Sequence, residues 1–199
     1  MARSSSRKQS TQPLSQLRII GGQWRGRKLQ FAPVEGLRPT GDRLRETLFN
    51  WLQFHLPGAQ CLDLFAGSGA LGLESLSRGA ASVDFVELNP QAARTLNQQL
   101  QLLEATDGEV HNCRAADFLV GGGKPYDIVF IDPPFADDLW QESLGALTGR
   151  LSEGALIYIE TPRDTVISAA NDWSLIKEKR AGQVCMRLFR NNSDTTTEH

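Results

Sequence analysis

The sequence predicts an α/β protein, a mostly parallel sheet with helices on both faces, on three observations. From Gln60 onward strand-like and helix-like runs alternate. A glycine-rich loop joins the first of those strands to the helix after it. The chain then closes with two strand-like runs around Ala181-Gly182-Gln183, too close together to hold a crossover helix, so they must pair antiparallel.

Each element has a local reason. "LRIIGGQWRGRKLQF" holds two short apolar runs separated by Gly21, Gly22 and Gly26, the pattern of a small hairpin. In "RPTGDRLRETLFNWLQFHL" the period changes: Leu44, Leu48, Trp51 and Leu52 fall on one face of a helix, which Thr40 or Asp42 would cap and Pro57-Gly58 would end. "CLDLF" reads as a buried strand, "GSGALG" as a loop, and "ALGLESLSRG" as a helix closed by Gly79. "SVDFVEL" is the next strand, and Asn89-Pro90 supply a cap and first-turn residue for "PQAARTLNQQLQLLEA". "EVHNCRA" and "YDIVFI" are further strands, "DDLWQESLGALTGRL" a helix, and "ALIYIET" the last parallel strand.

Length and composition set the frame. A chain of 199 residues with 40% hydrophobic content supports one sizeable core with small attachments. The expected division is a disordered basic leader over 1–16, a hairpin-and-helix attachment over 17–57, the main domain over 58–190 and a disordered tail over 191–199. Cys61, Cys113 and Cys185 lie far apart in apolar runs, which points to reduced core thiols and no metal site. Neither a secretory signal nor a membrane anchor is legible at the N-terminus, so a soluble, cytoplasmic monomer is expected. The net charge of -2 hides an asymmetry: residues 1–45 carry ten basic side chains against Glu35 and Asp42, and the rest carries 11 basic against 21 acidic. A basic segment on an acidic body suits a polyanionic partner.

The loop "GSGALG" predicts an adenosine-containing ligand. Gly67 and Gly69 permit the tight turn before a helix N-terminus, and Glu87 ends the next strand 20 residues after Gly67, where an acid accepts bonds from ribose hydroxyls. Two ligand classes compete, a dinucleotide and S-adenosyl-L-methionine. Asp63 favours the second, because a carboxylate beside the loop suits an ammonium or sulfonium and repels a pyrophosphate. Phe65, in the same turn, joins these as a cofactor residue. Asp117 is assigned to an adenine amino group and Phe118 to its ring, with a helix cap as the alternative use of Asp117.

"DPPF" follows the fourth strand of the sheet and so reaches the same edge as the glycine loop. Pro133 and Pro134 lack N–H groups, leaving carbonyl oxygens beside the Asp132 carboxylate. Such a site suits a planar amino group with two hydrogens to give. The four residues Asp132, Pro133, Pro134 and Phe135 are therefore the candidate catalytic set, Phe135 offering a stacking surface for a base taken out of its helix.

With these motifs in place the sequence resembles the class I S-adenosylmethionine-dependent methyltransferases with a Rossmann-like fold. Within them it resembles the bacterial 16S ribosomal RNA guanine-N2 methyltransferases of the RsmD family. The likeness runs from Leu17 to Arg190 and rests most on "RIIGGQWRGRKL", "LRPTGDRLRETLFNWL", "CLDLFAGSGALGLE", "FIDPPF" and "WSLIKEKRAGQV". It implies a seven-stranded sheet with an antiparallel last strand and S-adenosyl-L-methionine as cofactor. The implied substrate is a guanine in 16S rRNA, within the small (30S) ribosomal subunit or a late assembly intermediate. Arg18, Arg25, Arg27 and Lys28 of the hairpin, with Arg38 and Arg43, are the expected RNA contacts. Arg38, Arg43 and Arg45 could instead line the cofactor entrance, while Arg45 and Glu46 could also decorate a solvated face. A DNA or RNA adenine-N6 methyltransferase, a nicotinamide oxidoreductase and a non-catalytic RNA-binding assembly factor are the competing functions.

Overall fold

The computed structural model describes residues 15–31, 41–134, 139–147 and 149–193 of the chain. An N-terminal hairpin, β1 (Ser15–Arg18) and β2 (Lys28–Phe31), precedes α1 (Asp42–Leu52). The main body then runs β3 (Gln60–Asp63), α2 (Ala70–Ser77), β4 (Ser82–Val86), α3 (Pro90–Leu102), β5 (Gly108–His111), α4 (Ala115–Val120), β6 (Tyr126–Ile131), α5 (Trp140–Ala146), β7 (Leu151–Pro162), β8 (Trp173–Ala181) and β9 (Val184–Asn191). The large sheet has seven strands in the order β5-β4-β3-β6-β7-β9-β8. β3 to β7 are parallel, and β9 runs antiparallel to both of its neighbours. The expected class I methyltransferase architecture is thus present, with its last strand reversed.

Side-chain alternation divides the core between the two sheet faces. Cys61, Phe85, Ile128, Phe130 and Tyr158 face one cluster, where they meet Leu48 and Phe49 of α1, Leu73 and Leu76 of α2 and Leu96 and Leu100 of α3. Leu62, Val86, Val129, Ile131 and Ile159 face the other, against Leu119 of α4 and Trp140 and Leu144 of α5. The hairpin's Leu17, Ile19, Leu29 and Phe31 belong to the first cluster, so it shares a core with the sheet. Among the described residues no helix is long and apolar enough to cross a membrane.

The helix boundaries follow the sequence in most places. Asn89 caps α3 by accepting from the backbone N–H groups of Gln91 (2.8 Å) and Ala92 (3.1 Å), with Pro90 in the first turn. Gly79 leaves α2 at φ 95°, a left-handed conformation that glycine adopts without strain. The start of α1 differs: its cap is Gly41 with no side-chain bond, and Asp42 lies inside the first turn, holding Arg45 at 2.7 Å. Thr40, the other expected cap, lies outside the described residues, as do 1–14 of the leader and 194–199 of the tail.

A buried carboxylate fastens the hairpin to the glycine-loop helix. Glu74 of α2 is fully buried and accepts from the backbone N–H groups of Ile20 (2.8 Å) and Gly21 (2.7 Å) and from Arg78 Nε (2.7 Å). Arg45 Nη1 stands 3.8 Å away, and its Nη2 donates to the Arg18 carbonyl at 2.9 Å. Arg45 is therefore a buried strut, and its expected place at a solvated face, on RNA or at the cofactor entrance is corrected; Glu46 is exposed. Ser77 adds a second fastening, its Oγ donating to the Gly21 carbonyl and accepting from Trp24 N. Gly22 sits there at φ 74°, and a Cβ on it would lie 1.7 Å from the Ser77 carbonyl oxygen. Removing one partner from a buried ion pair leaves the others uncompensated and costs about 3–5 kcal/mol. Glu74→Ala is expected to lose stability on that scale in urea titration, whereas Glu46→Ala, on the exposed side of α1, is expected to change it by about 0.5 kcal/mol or less.

Candidate active site

The parallel strands deliver their carboxyl ends to one edge of the sheet, where chain order reverses between β3 and β6 and a crevice opens. The cavity there measures about 1160 Å³. Single-ligand pockets span roughly 300–1,000 Å³, so this one has room for a cofactor and part of a second molecule. Four strand-end acids line it: Asp63 of β3, Glu87 after β4, Asp132 after β6 and Glu160 near the end of β7.

The glycine loop spends its amides on two of those acids. Gly67, at φ 53°, donates its N–H to Glu87 Oε2 at 2.7 Å, while Asn89 N donates to Glu87 Oε1 at 2.7 Å. Gly72 N donates to Asp63 Oδ2 at 2.9 Å. In a dinucleotide site the amides at this helix start would face a pyrophosphate. Carboxylates bonded to them make the wall anionic and favour a cationic ligand. Burial pushes the Asp63 carboxyl up to about 7, with the Glu87 charge adding to the rise and the Gly72 N–H opposing it.

Gly69 holds the tight turn before α2. It is not among the lining residues; its φ is 75°, and a Cβ on it would lie 2.4 Å from Leu96 of α3. Packing and backbone conformation demand this glycine. Gly72 likewise lets α2 approach the sheet, since a Cβ there would lie 2.1 Å from the Phe85 ring. Phe65 is half-buried and lines the cavity as expected.

The third strand end brings the residues just before the expected pair to the cavity. Arg114, Ala115 and Ala116 line the cavity, but Asp117 and Phe118 are not among its lining residues. Asp117 is exposed in the first turn of α4. The Phe118 ring packs 4.7 Å from His111 and lies 5.3 Å under the Arg150 guanidinium. Leu88, 65% exposed, adds an apolar surface to the cavity wall beside Glu87. Cys113 also lines the cavity and is only half-buried, unlike the fully buried Cys61 and Cys185.

Asp132, Pro133 and Pro134 all line the cavity, so this segment and the glycine loop share one space. Phe135 lies outside the described residues, as does Arg38. Sequence reasoning passes over Glu160, although an acid ending the strand after "FIDPP" carries the same signal as Asp63 and Glu87. Its Oε2 accepts from the Tyr158 hydroxyl at 2.6 Å, and its backbone carbonyl accepts from Trp140 Nε1 at 2.7 Å. Burial and the nearby Glu160 and Asp132 charges hold the Tyr158 hydroxyl well above its usual pKa. Arg18, Arg25, Arg27 and Lys28 are exposed on the hairpin and Arg43 on α1. Arg27 also reaches the Leu102 carbonyl at 3.5 Å.

Comparison with known proteins agrees with this layout. The family model described as Conserved hypothetical protein 95 matches residues 17–190. The ribosomal RNA small subunit methyltransferase D of Escherichia coli is 49% identical over 178 residues, covering 88% of this chain and 90% of that protein. Its Haemophilus influenzae counterpart is 46% identical over 182 residues, covering 88% and 94%. A solved Escherichia coli methyltransferase structure superposes with a TM-score of 0.83 at 46% identity, covering 90% of this chain and all of that one. With this similarity extending from the N-terminal hairpin through the reversed last strand, the chain belongs to the RsmD family of ribosomal RNA small subunit methyltransferases.

Proposed function

We propose that this protein transfers a methyl group from S-adenosyl-L-methionine to the N2 amine of one guanine in 16S rRNA, presented by the small ribosomal subunit or a late assembly intermediate. The observation that carries the proposal is the opening of Asp132, Pro133 and Pro134 into the same cavity as Asp63 and Glu87. The names of the relatives support a small-subunit RNA substrate.

The residues fit such a cofactor. The anionic wall suits a sulfonium and an ammonium, the Glu87 carboxylate suits ribose hydroxyls, and Leu88 offers an apolar cover for a ring. When bound, S-adenosyl-L-methionine would supply an electrophilic methyl group, its S–CH3 bond breaking to leave the neutral thioether S-adenosyl-L-homocysteine. The protein's task is then to position a poor nucleophile, an exocyclic amine whose lone pair is delocalised into its ring. Asp132 and the Pro133-side carbonyl accept the two N–H bonds and favour a pyramidal nitrogen with its lone pair free. The Asp132 carboxylate balances the positive charge that develops on nitrogen and takes up the released proton. Phe135 supplies a stack of about 1–3 kcal/mol, enough to offset unstacking of a loop nucleotide.

Transfer of labelled methyl to subunits lacking the modification, followed by nucleoside analysis, tests the proposal. Label is expected as N2-methylguanosine, and label on adenine, on free duplex DNA or on nothing overturns it. Asp132→Ala is expected to lower turnover by about 10²–10⁴-fold with cofactor affinity little changed. Protonated Asp63 cannot pair with a cation, so cofactor affinity is expected to fall about tenfold as pH drops from 8 to 6, through the Asp63 value of about 7. Asp63→Asn is expected to bind weakly without that component, measured by calorimetry against wild type over the same range. For the hairpin, replacing Arg25 and Lys28 with Ala is expected to lower the slope of log affinity for subunits against log salt by about 1 per lost phosphate contact.

A further inference from the structure

Glu160 is the one strand-end acid of the cavity that the proposed chemistry leaves without a task. It is 5% exposed and lines the cavity. The register of β6 with β7 pairs Phe130 with Tyr158 and Ile131 with Ile159. Asp132 follows Ile131 directly and Glu160 follows Ile159, so both leave neighbouring strand ends into one cavity, and the Asp132 charge acts on the Tyr158 hydroxyl that binds Glu160. The Phe130 and Tyr158 rings pack edge to face beneath them at 6.3 Å. The bond from Tyr158 to Oε2 fixes the orientation of the Glu160 carboxylate.

Two carboxylates on one cavity wall complement a base whose edge donates two adjacent hydrogens. The pairing edges of the bases differ in this respect. Guanine presents an N1–H directly beside its N2 amine. Adenine and cytosine present an amine beside a ring nitrogen lone pair, which a carboxylate would repel, and uracil presents an N–H with no amine. We infer that Glu160 selects guanine by accepting its N1–H while Asp132 holds the N2 amine. The inference rests on the guanine-N2 proposal and adds the residue that distinguishes this base from the others. Sites built to bond a polar hydrogen reject analogues lacking it far more strongly than apolar pockets reject a missing methyl group.

The test replaces the target guanine in small subunits reconstituted with ligated RNA by 2-aminopurine, which keeps the N2 amine but carries a lone pair at N1. Wild type is expected to favour guanine by about 100-fold or more in kcat/KM. Glu160→Gln, whose amide can donate to that lone pair, is expected to narrow the ratio to about tenfold or less. Tyr158→Phe, which releases the carboxylate from its hydrogen bond but retains the ring, is expected to narrow it in the same direction and serves if the Gln variant does not fold. A purely structural role would lower kcat/KM for both bases equally, and an unchanged ratio in these variants overturns the inference while leaving N2 methylation intact. Failure of wild type to methylate guanine would instead overturn the proposal beneath it.

Discussion

The Glu74 carboxylate holds this molecule's two halves in one frame. It sits on the helix that leaves the glycine loop and binds backbone N–H groups of a segment 53 and 54 residues earlier in the chain. A buried anion is tolerable only when it is fully bonded, so the hairpin junction and the arginines Arg45 and Arg78 must be in place when α2 docks. The first turn of α2 is held by another acid, Asp63, through Gly72 N. One short helix therefore transmits position between the exposed basic hairpin and the cavity, with a carboxylate bonded on each side.

The sheet order supplies the second constraint. Asp132 and the glycine loop lie far apart in sequence and meet in one crevice because β6 is the neighbour of β3. In that crevice the acids act on the backbone as well as on ligands. Glu87 and Asp63 accept the loop's amides, and so convert a helix start suited to anions into a wall suited to cations.

Most of the fold was legible because its signals are local. Alternating strands and helices, the Asn89-Pro90 cap and the Gly79 stop each depend on residues within one or two turns, and the closing hairpin is forced by its short connection. The burial of Arg45 and Glu74 was not legible, because it arises from contacts between distant segments that each look like ordinary charged helix positions. Phe118 illustrates the same limit: its position after the third strand suggested a ligand ring, and its contacts with Arg150 and His111 come from distant segments. Glu160 was legible in principle, since it ends a parallel strand as Asp63 and Glu87 do, yet no distinctive motif surrounds it as "DPPF" surrounds Asp132.

The bonded amides of Gly67 and Gly72 have a consequence for competition among metabolites. Adenosine triphosphate shares the adenine and ribose of the proposed cofactor, so shape alone gives little protection from it. Here the loop that would cradle its phosphates has amides bonded to carboxylates, so for a cavity that takes the proposed cofactor rejection would come from charge, where the two adenosine compounds differ in sign.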